Sequence, residues 1–223
     1  MALLCGIDLG SFRSPSYVAW LEDGQFALET WTASRESPLP PSPGWPPAFT
    51  AIDAPQGLPA AGARCRQADR EANAPTKVLP RGRAELAGWR LYRPFIEAGV
   101  ELFWSLHERE LASILGLVPL PDGAGTVCET YPRYVLLRLW GERPPSKRRQ
   151  PAEYVEFVWS RLRAAGYDCV DAVTRPDHAD AMLCAVAAEA CLHADGLPAG
   201  TVGAPPFVDE EERVLREGFI VAP

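Results

Sequence analysis

Apolar positions in the first third of the chain fall into short strand-like runs, and the remainder alternates such runs with helical spacing. Residues 3–9 form a short apolar run ended by Gly10-Ser11, the pattern of a buried central strand. Residues 17–22 and 25–32 flank Asp23-Gly24, a two-residue hairpin signal, so three antiparallel strands are expected at the amino end. Residues 38–47 contain six prolines, too many for a helix or an inner strand. They read as an extended surface connection and not as a domain linker, because the strand-like Phe-Thr-Ala-Ile-Asp53 follows at once.

Farther on, residues 97–115 read as a helix, with Leu102, Leu106, Leu111 and Ile114 among many charges. Residues 126–130 read as a short strand bounded by Gly125 and Pro132, and helices are expected at 132–140 and 151–165. The most regular helix begins near Pro176, where Ala179, Met182, Leu183, Val186, Ala187 and Ala190 share one face. Thr174 is the expected N-cap, with Asp177 completing a capping box. A last strand is expected at 219–221. A three-strand meander followed by βα units predicts one α/β domain over 1–223, with a mixed sheet and helices on both faces. The strands at 3–9, 49–53 and 126–130 would lie side by side and parallel, their carboxyl ends sharing one crevice.

Composition narrows the setting. The formal net charge is −7, yet segments 61–93 and 133–163 each hold eight basic residues against three acidic ones. Such segments suit local contact with a polyanion, or equally two solvated faces. The six cysteines form no C-x-x-C pair and read as reduced, mostly buried thiols. The first residues lack a secretory pattern and no apolar stretch approaches a bilayer-spanning length, so a soluble cytoplasmic protein without membrane contact is expected.

The acidic residues carry the chemistry. Asp8, Asp53 and Glu129 fall at the ends of the three parallel strands, and Asp177 and Asp180 open the last long helix. Desolvating unpaired carboxylates costs several kcal/mol, and a shared divalent cation would offset that cost. Two such ions would activate water and stabilise the leaving oxygen of a phosphodiester. Each residue also has a structural alternative: a turn cap for Asp8 or Asp53, a salt bridge for Glu129, helix capping or dipole compensation for Asp177 and Asp180.

Gly6-Ile-Asp-Leu-Gly-Ser11, Ala51-Ile-Asp-Ala-Pro-Gln-Gly-Leu-Pro59, Glu129-Thr-Tyr-Pro132 and Asp177-His-Ala-Asp-Ala181 occur in the order and spacing of a known family. The chain resembles, over nearly its whole length, an uncharacterised family regarded as predicted RNase H-like nucleases. The last block also resembles the Asp-x-x-Asp-Ala helix start of RuvC-type Holliday-junction resolvases, whose equivalent aspartates bind catalytic metal. The resemblance implies an RNase H-like fold. It also implies Asp8, Glu129 and Asp180 as ligands of Mg²⁺ or Mn²⁺, with Asp53 and Asp177 in the same catalytic site. It makes Arg66-Gln-Ala-Asp69-Arg70 a substrate-facing element, whose bland alternative is a solvated helix held by local ion pairs.

The leading expectation is thus a metal-dependent nuclease, in which Arg66, Arg70 and the basic run Lys147, Arg148 and Arg149 hold the phosphate backbone of a nucleic acid. His178 would orient water or protonate a leaving group, or else stand as a partly exposed surface residue, and Tyr131 and Trp89 would stack on bases or else fill the core. An ATP-dependent phosphotransferase of the actin and sugar-kinase type is a second possibility, although the chain carries a single Asp-x-Gly-Ser phosphate motif. A binding module without catalysis is the third.

Overall fold

The computed structural model describes residues 2–41, 47–121 and 124–223. Among these described residues fifteen elements follow one another, nine strands and six helices. The strands build one sheet in the order β7-β3-β2-β1-β4-β6-β9-β8, with β5 paired to β6.

The amino-terminal meander is as expected. β1 (Leu4–Asp8), β2 (Ser16–Glu22) and β3 (Gln25–Trp31) pair antiparallel. Asp23 and Gly24 both take positive φ, 49° and 77°, as a two-residue hairpin with right-handed strand twist requires. β4 (Phe49–Asp53) and β6 (Thr126–Thr130) then join β1 in parallel, which makes 1-4-6 the centre of the sheet. Of the proline-rich connection, residues 42–46 lie outside the described residues. Residues 38–41 are neither helix nor strand, but Pro38 and Pro40 are buried, so that part is not a surface connection.

Both faces of the sheet are covered. Leu4, Ala51 and Cys128 pack with residues of α4 (Pro132–Trp140), α5 (Pro151–Ala164) and α6 (Pro176–His193). Cys5, Ile7, Ile52 and Val127, one step along each strand, pack with α3 (Arg93–Glu108) on the opposite face. α6 lies under α4 and α5 against β1, β2 and β4, and every residue from Ala179 to Ala188 is buried. The one-faced amphipathic pattern expected for it is therefore corrected to burial all round. Gly6 makes this packing possible: a Cβ there would stand 2.1 Å from the Ala185 nitrogen and 2.2 Å from the Ala181 oxygen.

Other departures have local causes. α3 starts and ends earlier than expected. At its end the Leu111 N–H reaches the Leu106 oxygen at 3.0 Å and the Glu110 N–H reaches the His107 oxygen at 3.1 Å. Glu110 takes the left-handed conformation (φ 52°), so a Schellman-type end forms with glutamate where glycine would have signalled it. β5 (Ser113–Ile114) follows inside the range expected to be helical. The short helices α1 (Gln67–Glu71) and α2 (Arg83–Gly88) and the short strand β7 (Asp168–Cys169) complete the central part.

The carboxyl end forms a hairpin in which β8 (Val202–Asp209) was not expected and β9 (Val214–Val221) extends well before residue 219. β8 holds Pro205-Pro206, which an inner strand would exclude; it lies at the sheet edge and its register shifts between Ala204 and Phe207. All six cysteines are free, four of them buried. Among the described residues no helix is long and apolar enough to cross a membrane.

Candidate metal centre

Three elements converge at the carboxyl end of the parallel strands. β1 and β4 run in register with Asp8 directly beside Asp53, so both side chains leave the same face. That face is the one covered by α6, whose first turn carries Asp177 and, one turn on, Asp180. The N-cap of α6 is Arg175, with no side-chain cap bond, so neither Thr174 nor Asp177 serves as the expected capping box. One carboxylate oxygen each from Asp8, Asp53 and Asp180 lie within 4.8 Å of one another. This cluster could hold a metal ion.

Burial makes the cluster electrostatically costly. Burial first, then the charges of Asp180 and Asp53, hold the Asp8 carboxyl well above the usual carboxylate range. Burial and Asp180 do the same to Asp53, against the pull of Lys147. Asp180 is raised by burial and restrained by Lys147 and by Tyr154. Lys147 reaches in from the loop between α4 and α5. Its Nζ bonds Asp180 Oδ2 and lies 3.3 Å from Asp177 Oδ1 and 4.0 Å from Asp8 Oδ2. Burial would lower the Lys147 ammonium, but Asp180, Asp8 and Asp177 together raise it, so it stays charged. Tyr154, buried on α5, donates its hydroxyl to Asp180 Oδ1. One ammonium thus faces four carboxylates.

Glu129 does not join them. In β6 it pairs with Ile52, while its neighbour Thr130 pairs with Asp53. Side chains alternate along a strand, so Glu129 leaves the face opposite Asp53. There Arg66 binds it with both terminal nitrogens, Nη1 at 2.6 Å and Nη2 at 2.7 Å, and the Gln56 N–H donates at 2.8 Å. Arg66 is 0% exposed; its Nε and Nη2 also bind Asp69, which accepts a further bond from Thr76. Two expectations are corrected here. The expected ligands Asp8, Glu129 and Asp180 are not brought together, the group that could hold a metal ion being Asp8, Asp53 and Asp180, and Arg66 is an interior ion-pair partner with no surface left for a phosphate backbone. The salt-bridge alternative for Glu129 holds, and the pairs around α1 are buried where solvated ones were the alternative.

The other expected contacts are placed differently. Lys147 sits in the carboxylate cluster, whereas Arg70 on α1 and Arg148 beside Lys147 are exposed. A minority of the basic residues in the two segments are paired within the chain, among them Arg83 with Glu101, Arg161 with Glu142 and Arg93 with Glu97. The His178 ring stands edge-on to Tyr17, with centroids 5.4 Å apart; burial, then Arg175, push its pKa down. Trp89 packs with Leu58, Leu79, Leu86 and Ile96, a core role. Tyr131 lines a cavity of about 340 Å³ that also touches Asp8 and Asp53. Sequence reasoning missed Tyr154 and Tyr92. Tyr154 carried one signal, a hydroxyl on the stripe Tyr154, Val158, Leu162 that the core takes in.

Over residues 6–205 the chain matches the sequence model of a family described as "Protein of unknown function (DUF429)". The chain is a member of the DUF429 family. No curated protein and no solved structure matches it. In this DUF429 protein the matched span includes β1, β4, β6 and the start of α6, and so every carboxylate of the cluster.

Proposed function

We propose that this DUF429 protein is a divalent-metal-dependent phosphodiester hydrolase, a nuclease of RNase H-like type acting on nucleic acid with Mg²⁺ or Mn²⁺. The observation that carries the reading is the convergence of Asp8, Asp53 and Asp180 within 4.8 Å at the ends of two parallel central strands and the start of a buried helix. Hard carboxylate oxygens at that spacing are the donor set that magnesium and manganese take, with water and phosphate filling the remaining positions. The donor set fits on a second count as well: burial and mutual repulsion raise Asp8 and Asp53, and a divalent cation would relieve both.

Asp8, Asp53 and Asp180 would hold the ion, which when bound supplies a low-pKa water and stabilises charge on phosphoryl oxygens. The chain's own residues do the rest. Tyr154 fixes Asp180 in place through Oδ1, while Lys147 on Oδ2 competes with a cation for that oxygen. Asp177, half-exposed one turn before Asp180, is placed to accept a proton from incoming water. Lys147 meets the non-bridging oxygens of the phosphodiester, and exposed Arg148 and Arg70 steer the polyanion without reading its sequence.

The test is calorimetric titration of Mn²⁺ into the wild type and Asp53→Asn, with metal-dependent cleavage of mixed DNA and RNA measured on both. Binding and cleavage are expected in the wild type and lost together in the variant. Absence of Mn²⁺ binding by the folded wild type would overturn the proposal.

A further inference from the structure

The cavity beside the carboxylates has a composition that a metal and a phosphate do not need. Its volume is about 340 Å³, and it is lined by the carboxylates of Asp8, Asp53, Asp69 and Glu129 and by Tyr92, Phe95 and Tyr131. Phosphate recognition calls for cations and N–H donors, whereas this lining holds no cationic side chain and sets carboxylates beside aromatic and apolar ones. Aromatic faces next to a phosphoryl site are what a nucleobase stacks on, whatever its identity. The size sets a limit in the same direction. A space of this size accommodates one base with its sugar.

Tyr92 supplies an independent observation. It is the N-cap of α3 with φ 53° and ψ 21°, in the left-handed region that bulky side chains avoid. The residue is 52% exposed, so burial does not offset that strain. Strained backbone at an exposed aromatic on the wall of a cavity is the signature of a residue kept for what it contacts. Tyr131 faces the same space, with Arg133 near its hydroxyl and Asp53 and Asp180 close enough to raise its pKa after burial. Arg133 is exposed in the first turn of α4, where it would meet the sugar-phosphate on the far side of the base.

We propose that the cavity binds a single unstacked nucleobase against Tyr92, Phe95 and Tyr131, which sets the adjoining phosphodiester on Asp8, Asp53 and Asp180. The inference rests on the hydrolase reading and deepens it. The substrate is a nucleotide unit outside a helix, either within a single strand or as a short free oligonucleotide, and continuous duplex is excluded from the reacting position.

The experiment is equilibrium binding in EDTA, which separates the base site from metal and cleavage. The probes are a 12-nucleotide strand carrying one 2-aminopurine, the same strand as a duplex, its abasic counterpart, and a dinucleotide. The single strand is expected to bind with a change in 2-aminopurine emission, and the duplex and abasic strand about tenfold or more weaker. Tyr92→Ala should lose a similar factor and Tyr92→Phe should restore it. Tyr92→Gly should melt higher than the wild type while binding no better than Tyr92→Ala, because glycine relieves the left-handed strain. Equal binding of the abasic and intact strands, or of duplex and single strand, would overturn the proposal. A dinucleotide that binds as tightly as the strand supports it and identifies a free small substrate; a weaker one supports it and identifies a strand. Base binding that persists while Mn²⁺ titration and cleavage fail would remove the hydrolase and leave the base site standing.

Discussion

Lys147 offers the most discriminating perturbation, because two properties should move in opposite directions. Its ammonium is the cation in contact with Asp180, Asp177 and Asp8. In the metal-free protein, Lys147→Met leaves four carboxylates facing one another without it. Breaking a buried pair costs about 3–5 kcal/mol, and an exposed one about 1 or less. The Lys147 side chain is 40% exposed, which places the loss between those limits; we expect about 1–2 kcal/mol after solvent screening. Metal binding should respond the other way. An ion among the carboxylates would share the Asp8 and Asp180 oxygens with Nζ, at a separation of about 5 Å. The repulsion between a doubly charged ion and an ammonium at that distance is about 1.5 kcal/mol even at the dielectric of water, which is about tenfold in affinity. Lys147→Met should therefore melt below the wild type in EDTA, bind Mn²⁺ about tenfold tighter by calorimetry, and recover its stability at saturating Mn²⁺. Weaker or unchanged Mn²⁺ binding in the variant would refute the argument that Lys147 and a cation compete for one set of oxygens.

Two further outcomes separate structural from functional charges. Arg66→Met should cost about 3–5 kcal/mol in urea unfolding, since Glu129 and Asp69 are left buried without their partner; unchanged stability with lost nucleic-acid binding would restore Arg66 as a substrate contact. The pH dependence of the metal-free protein has a definite sign. The folded-state pKa values of Asp8 and Asp53 lie above the ordinary carboxylate range, so their contribution to stability is present below that range and lost as pH rises through the raised values. In EDTA the melting temperature should therefore climb as pH falls toward the ordinary carboxylate range, and the slope should flatten in Asp53→Asn; an identical slope in the variant would show that Asp53 carries no raised pKa.

How far the chain could be read in advance depended on whether the information was local. The Asp23-Gly24 hairpin and the strand 126–130 were legible because turn chemistry and short apolar runs act over a few residues. β9 was legible only at its end. Arg216 and Glu217 break its apolar pattern, yet both are buried and bound, Arg216 to Asp209, Pro59 and Arg81, and Glu217 to the N–H groups of Ala60 and Gln67. All of those partners but Asp209 lie far away in sequence, and no local signal announces them. The same holds for Arg66, whose basic segment looked like a surface for a polyanion until distant Glu129 took it up.

Glu129 itself shows where strand-end reasoning fails. Position along a strand fixes how near a residue lies to the carboxyl edge, and by that measure Asp8, Asp53 and Glu129 are alike. Parity fixes the face, and it follows only from register between strands far apart in the chain. β6 reads Thr-Val-Cys-Glu-Thr with apolar residues on both faces, because helices cover it on both sides, so its own pattern gives no hint of which side Glu129 takes. β1 and β4 are equally silent on this point, yet their pairing sets Asp8 beside Asp53 and Glu129 one step out. One residue of register therefore divides the acidic groups into two devices, a repelling cluster beneath the start of α6 that a cation would relieve and, at α1, the carboxylates Glu129 and Asp69 already bridged by Arg66.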